Sequence, residues 1–194
     1  DKVVKQLIDC CEGYYLGRPG DDSSVVAVRL REVRMAAIFT GPPASASQDE
    51  AIVSRFLRLP GIKIVAGGTT AKIVSRVTGR PLKVTLSYSD PNIPPIGHIP
   101  GIDLVTEGVL TLNAAVERIF DTKRLSNQSY QDGATLLARQ LLFVDKIIIL
   151  AGRAVNPAHQ NPKFPAGINI KEQVLAKLRH SLEQVGKEVV IEWV

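Results

Sequence analysis

Apolar residues along this chain switch between two spacings. In "KVVKQLIDCCEGYY", Val3, Val4, Leu7, Ile8 and Cys11 recur at intervals of three and four, which predicts a helix that Gly13 or Gly17 can end. "SSVVAVRL" then reads as a strand, and a second β-rich run, "VRMAAIFTG", begins almost at once. From there short continuous apolar runs alternate with longer periodic ones. "AAIFTG" is followed by a Pro/Ser/Ala turn and the helical "SQDEAIVSRFLRL", where Ser47 and Glu50 have the spacing of a capping box. "LPG" stops that helix. "IKIVAGG" is β-branched and reads as a buried strand, and "TTAKIVSRVTG" as a helix closed by Gly79.

The second half continues the alternation. A Pro-rich loop, "SDPNIPPIGHIPG", reads as ordered and extended, because each proline fixes its own φ. "IDLVTEG" is a short strand leading into the helix "VLTLNAAVERIF". Residues 121–132 are polar and read as a mobile loop. "GATLLARQLLF" is helical, "VDKIIILAG" a buried strand and "RAVNPAHQNPKFPAG" a second Pro/Asn loop. "INIKEQVLAKLRHSLEQVG" is the longest helix, and "KEVVIEWV" closes as a strand.

Strand-then-helix alternation with continuously apolar strands predicts an α/β fold: a mostly parallel sheet with helices on both faces, in three layers. It spans about residues 33–194. Residues 1–31, a lone helix and strand, do not complete a unit of their own.

Composition narrows the classes. The chain has 194 residues, 45% of them apolar, and a net charge of +5, which fits a folded domain rather than a disordered one. No apolar run approaches the roughly 18–20 residues that span a bilayer, so no membrane partner is expected. The basic residues are scattered and few aromatics lie beside them, so nucleic-acid binding has no support. Cys10 and Cys11 are adjacent, a spacing that strains a disulfide, and two reduced thiols fit a cytoplasmic protein.

In open α/β sheets, ligands bind beyond the carboxyl ends of the strands. The segments there are "TGPPASAS", "GGTT", "TEG" and "AGRAVNPAHQNP". "AGGTTAK" is the strongest: Gly67 and Gly68 permit close approach, Thr69 or Thr70 caps the helix, and free amides at a helix start suit an anion. The same residues also describe a tight, Thr-capped turn. Thr106 and Glu107 follow the next strand, where Glu107 is either a first-turn acid favoured by the helix dipole or a catalytic group. Arg153, Asn156 and His159 stand in the loop after the last internal strand. No Walker lysine, G-x-G-x-x-G, zinc spacing or G-x-S-x-G elbow is present.

"GRPGDDSSVVAVRL", coming after a helix, resembles the C-terminal end of the metal-dependent Ser/Thr protein phosphatases (the PPM superfamily), closest to the bacterial branch similar to the stage II sporulation phosphatase SpoIIE. The resemblance covers about the first 31 residues. It implies that Asp21 is a ligand for manganese or magnesium, with Asp22 its neighbour and Ser24 the start of the strand. "GGTTAKIV", "LVTEGVLTLN" and "GRAVNPAHQNP" resemble the α/β extension that some SpoIIE-like phosphatases carry after the catalytic domain.

That family draws its other carboxylates from Asp-Gly and Ser-Asp-Gly motifs that lie upstream of this chain's start. A two-metal site needs several carboxylates, so this chain alone is expected to hold no metal and to have no phosphatase activity. Three functions follow as expectations. Residues 33–194 are a regulatory or anion-sensing domain whose partner is its own upstream phosphatase domain. Alternatively they form a stand-alone enzyme on a small phosphorylated substrate, with Glu107 and His159 as acid and base. The third expectation is an interaction or homodimerisation module using residues 89–101 and the last strand, for which an exposed Trp193 is the sign.

Overall fold

The run Ala36, Ala37, Ile38, Phe39 explains the architecture of the larger unit. In a strand successive side chains point to opposite faces. Ala36 and Ile38 enter one hydrophobic cluster, Ala37 and Phe39 another, and all four are buried. A strand apolar on both faces must be covered on both, which is why the sequence alternates strand with helix.

A computed structural model describes residues 2–18, 20, 22, 24–85, 90–154 and 170–194. The chain divides into two compact units, Asp1–Glu32 and Val33–Val194.

The larger unit is α/β, with a mostly parallel sheet. Its strands are β1 (Met35–Thr40), β2 (Ile62–Ala66), β3 (Lys83–Val84), β4 (Gly97–His98), β5 (Leu104–Thr106), β6 (Lys146–Ala151) and β7 (Glu188–Trp193). Their order across the sheet is β3-β4-β5-β2-β1-β6-β7. β5, β2, β1, β6 and β7 run parallel, while β4 is antiparallel to β5 and to β3. Helices α4 (Val109–Arg118), α6 (Gly133–Phe143) and α7 (Ile170–Gln184) supply Leu112, Leu137, Leu141, Leu175 and Leu178 to the cluster of Ile38, Ile64 and Ile149. Helices α2 (Asp49–Arg58) and α3 (Gly68–Thr78) supply Val53, Phe56 and Val74 to the cluster of Phe39 and Val65.

The smaller unit contains α1 (Lys2–Tyr14), none of whose residues is buried. The strand expected over "SSVVAVRL" is not formed. A strand requires a neighbour to accept and donate its backbone hydrogen bonds, and no ladder among the described residues reaches this segment; Leu30 is 93% exposed.

Other local expectations need correcting. Residues 121–132, expected as a mobile loop, are not loop throughout: α5 (Thr122–Ser126) forms there, and Arg139 donates to the carbonyl oxygens of Arg124, Leu125, Asn127 and Tyr130. The Ser47–Glu50 capping box is absent. Ser45 instead accepts from the Ser47 N–H and starts a 3-10 turn (Ala46–Gln48) that leads into α2. β4 lies inside the Pro-rich loop, and Lys83–Val84 joins it as an unforeseen edge strand. β7 is the opposite edge of the sheet; its Trp193 is half-buried and packs on the core rather than standing exposed.

Candidate functional site

The parallel strands, in sheet order β5-β2-β1-β6-β7, place the first strand in the middle. The chain leaves β1 toward β2 and β5, then crosses back to β6 and β7. Segments after β1 and β6 therefore diverge, and a crevice opens at the carboxyl ends of these neighbours. A cleft of about 340 Å³ lies there. Thr40, Gly41 and Pro42 line it from β1; Gly67, Gly68, Thr69, Thr70 and Lys72 from the end of β2 and the start of α3. Glu107, Gly108 and Val109 close one side, and Ala154 and Lys171 another.

Two glycines make the cleft sterically possible. Gly67 has φ +131°, a backbone region that side-chain-bearing residues rarely enter. This conformation lets its N–H donate to the Thr106 carbonyl oxygen at 2.9 Å, joining the ends of β2 and β5. At Gly152 a Cβ would stand 2.0 Å from the Pro42 carbonyl oxygen, so only glycine lets the segments after β1 and β6 pass this closely.

Two helices that begin on the cleft, α3 and α4, have no side-chain cap. Gly67 precedes α3 and Gly108 precedes α4, and neither helix start carries a capping hydrogen bond from a side chain. The first hydrogen bonds back to these residues come from Ala71 N–H to Gly67 (2.8 Å) and Leu112 N–H to Gly108 (3.0 Å). The amides before them face outward with no helical acceptor. α5 and α6, which do not line the cleft, are capped by Asp121 and Asp132. The expected Thr69 or Thr70 cap on α3 is therefore a correction: Gly67 holds the N-cap position, and Thr69 and Thr70 lie two and three residues beyond it, inside the first turn.

Two polar atoms in the cleft stand out. Thr70 is 1% exposed, and its Oγ1 has no hydrogen-bond partner among the described residues. The Oε2 of Glu107 is likewise buried without a partner. A buried polar atom without a partner costs about 1–3 kcal/mol, so both mark places where a ligand group could be received. Lys171 Nζ, half-buried on the rim, donates to the carbonyl oxygens of Gly152 (2.5 Å) and Ala154 (3.2 Å). Burial pulls its pKa below 10.5, and neighbouring Glu172 opposes the shift.

Of the residues singled out in the sequence, the structure brings Gly67, Gly68, Thr69, Thr70 and Glu107 together. Thr106 lies behind them, buried, its hydroxyl donating to the Glu107 carbonyl oxygen at 2.8 Å. Arg153 is exposed and does not line the cleft. Asn156, His159 and Asp21 lie outside the described residues. Asp22 is exposed, in the smaller unit. Among the described residues, no group of three or more His, Cys, Asp or Glu side chains is placed to hold a metal ion.

Thr40, Gly41 and Lys72 stand in the segments "TGPPASAS" and "AGGTTAK" without having been assigned to the site, and Lys171 was missed altogether. Lys171 has no sequence signal, because only the sheet order brings the start of α7 beside the end of β6. No helix among the described residues is long and apolar enough to cross a membrane. No family model matches the chain, and neither a curated protein nor a solved structure matches it, so the reading of this cleft rests on its own residues.

Proposed function

We propose that the Val33–Val194 unit binds a small anionic ligand in the cleft at the carboxyl ends of β1, β2 and β6. The observation that carries this reading is the uncapped start of α3, with the buried Thr70 hydroxyl beside it, which has no partner among the described residues. Free amides and the helix dipole favour negative charge at that point. Lys72, from α3, and Lys171, from α7, add positive charge to the lining of the cleft.

On the resemblance of "GRPGDDSSVVAVRL" to the SpoIIE-like phosphatases, the unit serves as the regulatory domain of a bacterial, cytoplasmic protein serine/threonine phosphatase. Manganese or magnesium would belong to the phosphatase part, with Asp21 as one ligand.

A thermal-shift series with phosphate, sulfate, nucleotides and small carboxylates tests the ligand-binding reading. A ligand that binds only the folded state raises its melting temperature by mass action. At least one phosphorylated compound should do so, and Gly68→Val, which places bulk on the cleft wall, should abolish the shift. No response across the whole series would reject the reading.

A further inference from the structure

The identity of the ligand can be taken further, on the anion-binding reading just given. An anion alone does not satisfy this cleft. Glu107 immediately precedes Gly108, and a Cβ on Gly108 would lie 3.5 Å from the Gly67 Cα, so the starts of α3 and α4 are in contact. Glu107 lines the same cleft as Gly68, Thr69 and Thr70 at the proposed anion seat. An ionised carboxylate can only accept hydrogen bonds, and its buried Oε2 meets no donor among the described residues.

A ligand that fits both ends must place its negative group on the α3 amides and a hydrogen-bond donor on Glu107. An ammonium donor would enter a cleft already lined by Lys72 and Lys171, whereas hydroxyl groups donate without adding positive charge. Several amide donors, the Thr70 hydroxyl and two lysines suit the three oxygens and double charge of a phosphate better than a carboxylate. The volume of about 340 Å³ is at the small end of ligand clefts. We propose that the ligand is a hydroxylated organic phosphate of the sugar- or polyol-phosphate class, with its phosphate on the start of α3 and its hydroxyl groups donating to Glu107.

Isothermal titration calorimetry of the full chain tests this with a matched pair, glycerol 3-phosphate and n-propyl phosphate, in EDTA. A hydrogen bond to a charged group is worth enough to make the hydroxylated probe at least about tenfold tighter. In Glu107→Ala that preference should fall below about threefold, while propyl phosphate binds as before or more tightly. Glu107→Met keeps the side chain's length without a hydrogen-bond acceptor and carries the same test should the alanine variant not fold. Equal affinities on the unaltered chain, a preference that survives in the variant, or a preference that appears only with added Mg²⁺ would each overturn the proposal. If propyl phosphate and inorganic phosphate bind without any hydroxyl preference, only this inference fails. If no phosphate binds at all, the anion-binding reading fails with it.

Discussion

Lys171 Nζ donates to the carbonyl oxygen of Gly152 at 2.5 Å, fastening the first turn of α7 to the chain just beyond β6. Through this contact a helix distant in sequence becomes one wall of the cleft.

Lys171 and Lys63 predict how stability varies with pH. Burial lowers both pKa values from 10.5, with Glu172 and Asp103 opposing. Between the lowered folded values and 10.5 the unfolded chain binds more protons than the folded one, so stability rises with pH across that window. Below it the cost of each buried ammonium is constant. Urea midpoints measured from about pH 8 to pH 10.5 should climb less steeply in Lys171→Met and Lys63→Met than in the unaltered chain. Identical slopes in all three would show that neither lysine is desolvated.

Asp90 gives the opposite sign. The Asn92 N–H and the Arg124 guanidinium, helped by the charge of Arg118, hold its carboxyl below the usual 3.8. A depressed carboxylate contributes stability above its unfolded pKa and loses it as pH falls through the folded value. Asp90→Asn should destabilise the chain near neutral pH, because it removes the carboxylate that pairs with Arg118 and Arg124. The deficit relative to the unaltered chain should shrink below pH 3.8, as chemical denaturation can show.

Gly152→Ala tests the close passage of the strand ends. Its Cβ would meet the carbonyl oxygens of Pro42 and Gly41 at 2.0 and 2.3 Å, and backbone cannot move aside as a side chain can. A loss of about 3 kcal/mol is expected from such overpacking, together with loss of phosphate response. A variant as stable as the parent would contradict the geometry at the switch point.

Removing Arg139 should act locally. Its guanidinium satisfies four carbonyl oxygens between residues 124 and 130. In Arg139→Met, amide exchange should accelerate across residues 122–131 while β1 and β6 remain protected. Uniform protection in the variant would mean that the segment holds itself.

The layers of this fold were legible because its strands are short, apolar on both faces and separated by periodic helices. Ile147, Ile149 and Leu150 are an example: the run enters both core clusters, as a fully covered strand must. Gly67 through Thr70 could be picked out for a related reason, since strand ends in such sheets face the crevice. What the sequence withheld was non-local. Lys83 and Val84 become a strand only because Gly97 and His98 pair with them. Residues 121–132 look mobile until Arg139, on another helix, binds their carbonyls. Val26, Val28 and Leu30 carry a strand's composition, but no ladder among the described residues pairs with them.

Thr70 separates stability from function. Its buried hydroxyl has no partner among the described residues, so Thr70→Val should leave stability within about 1 kcal/mol or raise it. The same change should weaken phosphate binding several-fold. A clear loss of stability would mean that the hydroxyl is already engaged in the folded chain.

The most direct test of the anion seat is a phosphate titration of the ¹⁵N-labelled chain, followed through its amide resonances. The account predicts that Gly68, Thr69 and Thr70 shift together and saturably, and that Thr70→Val weakens the response. Unmoved α3 amides, or small shifts scattered over exposed lysines, would contradict it.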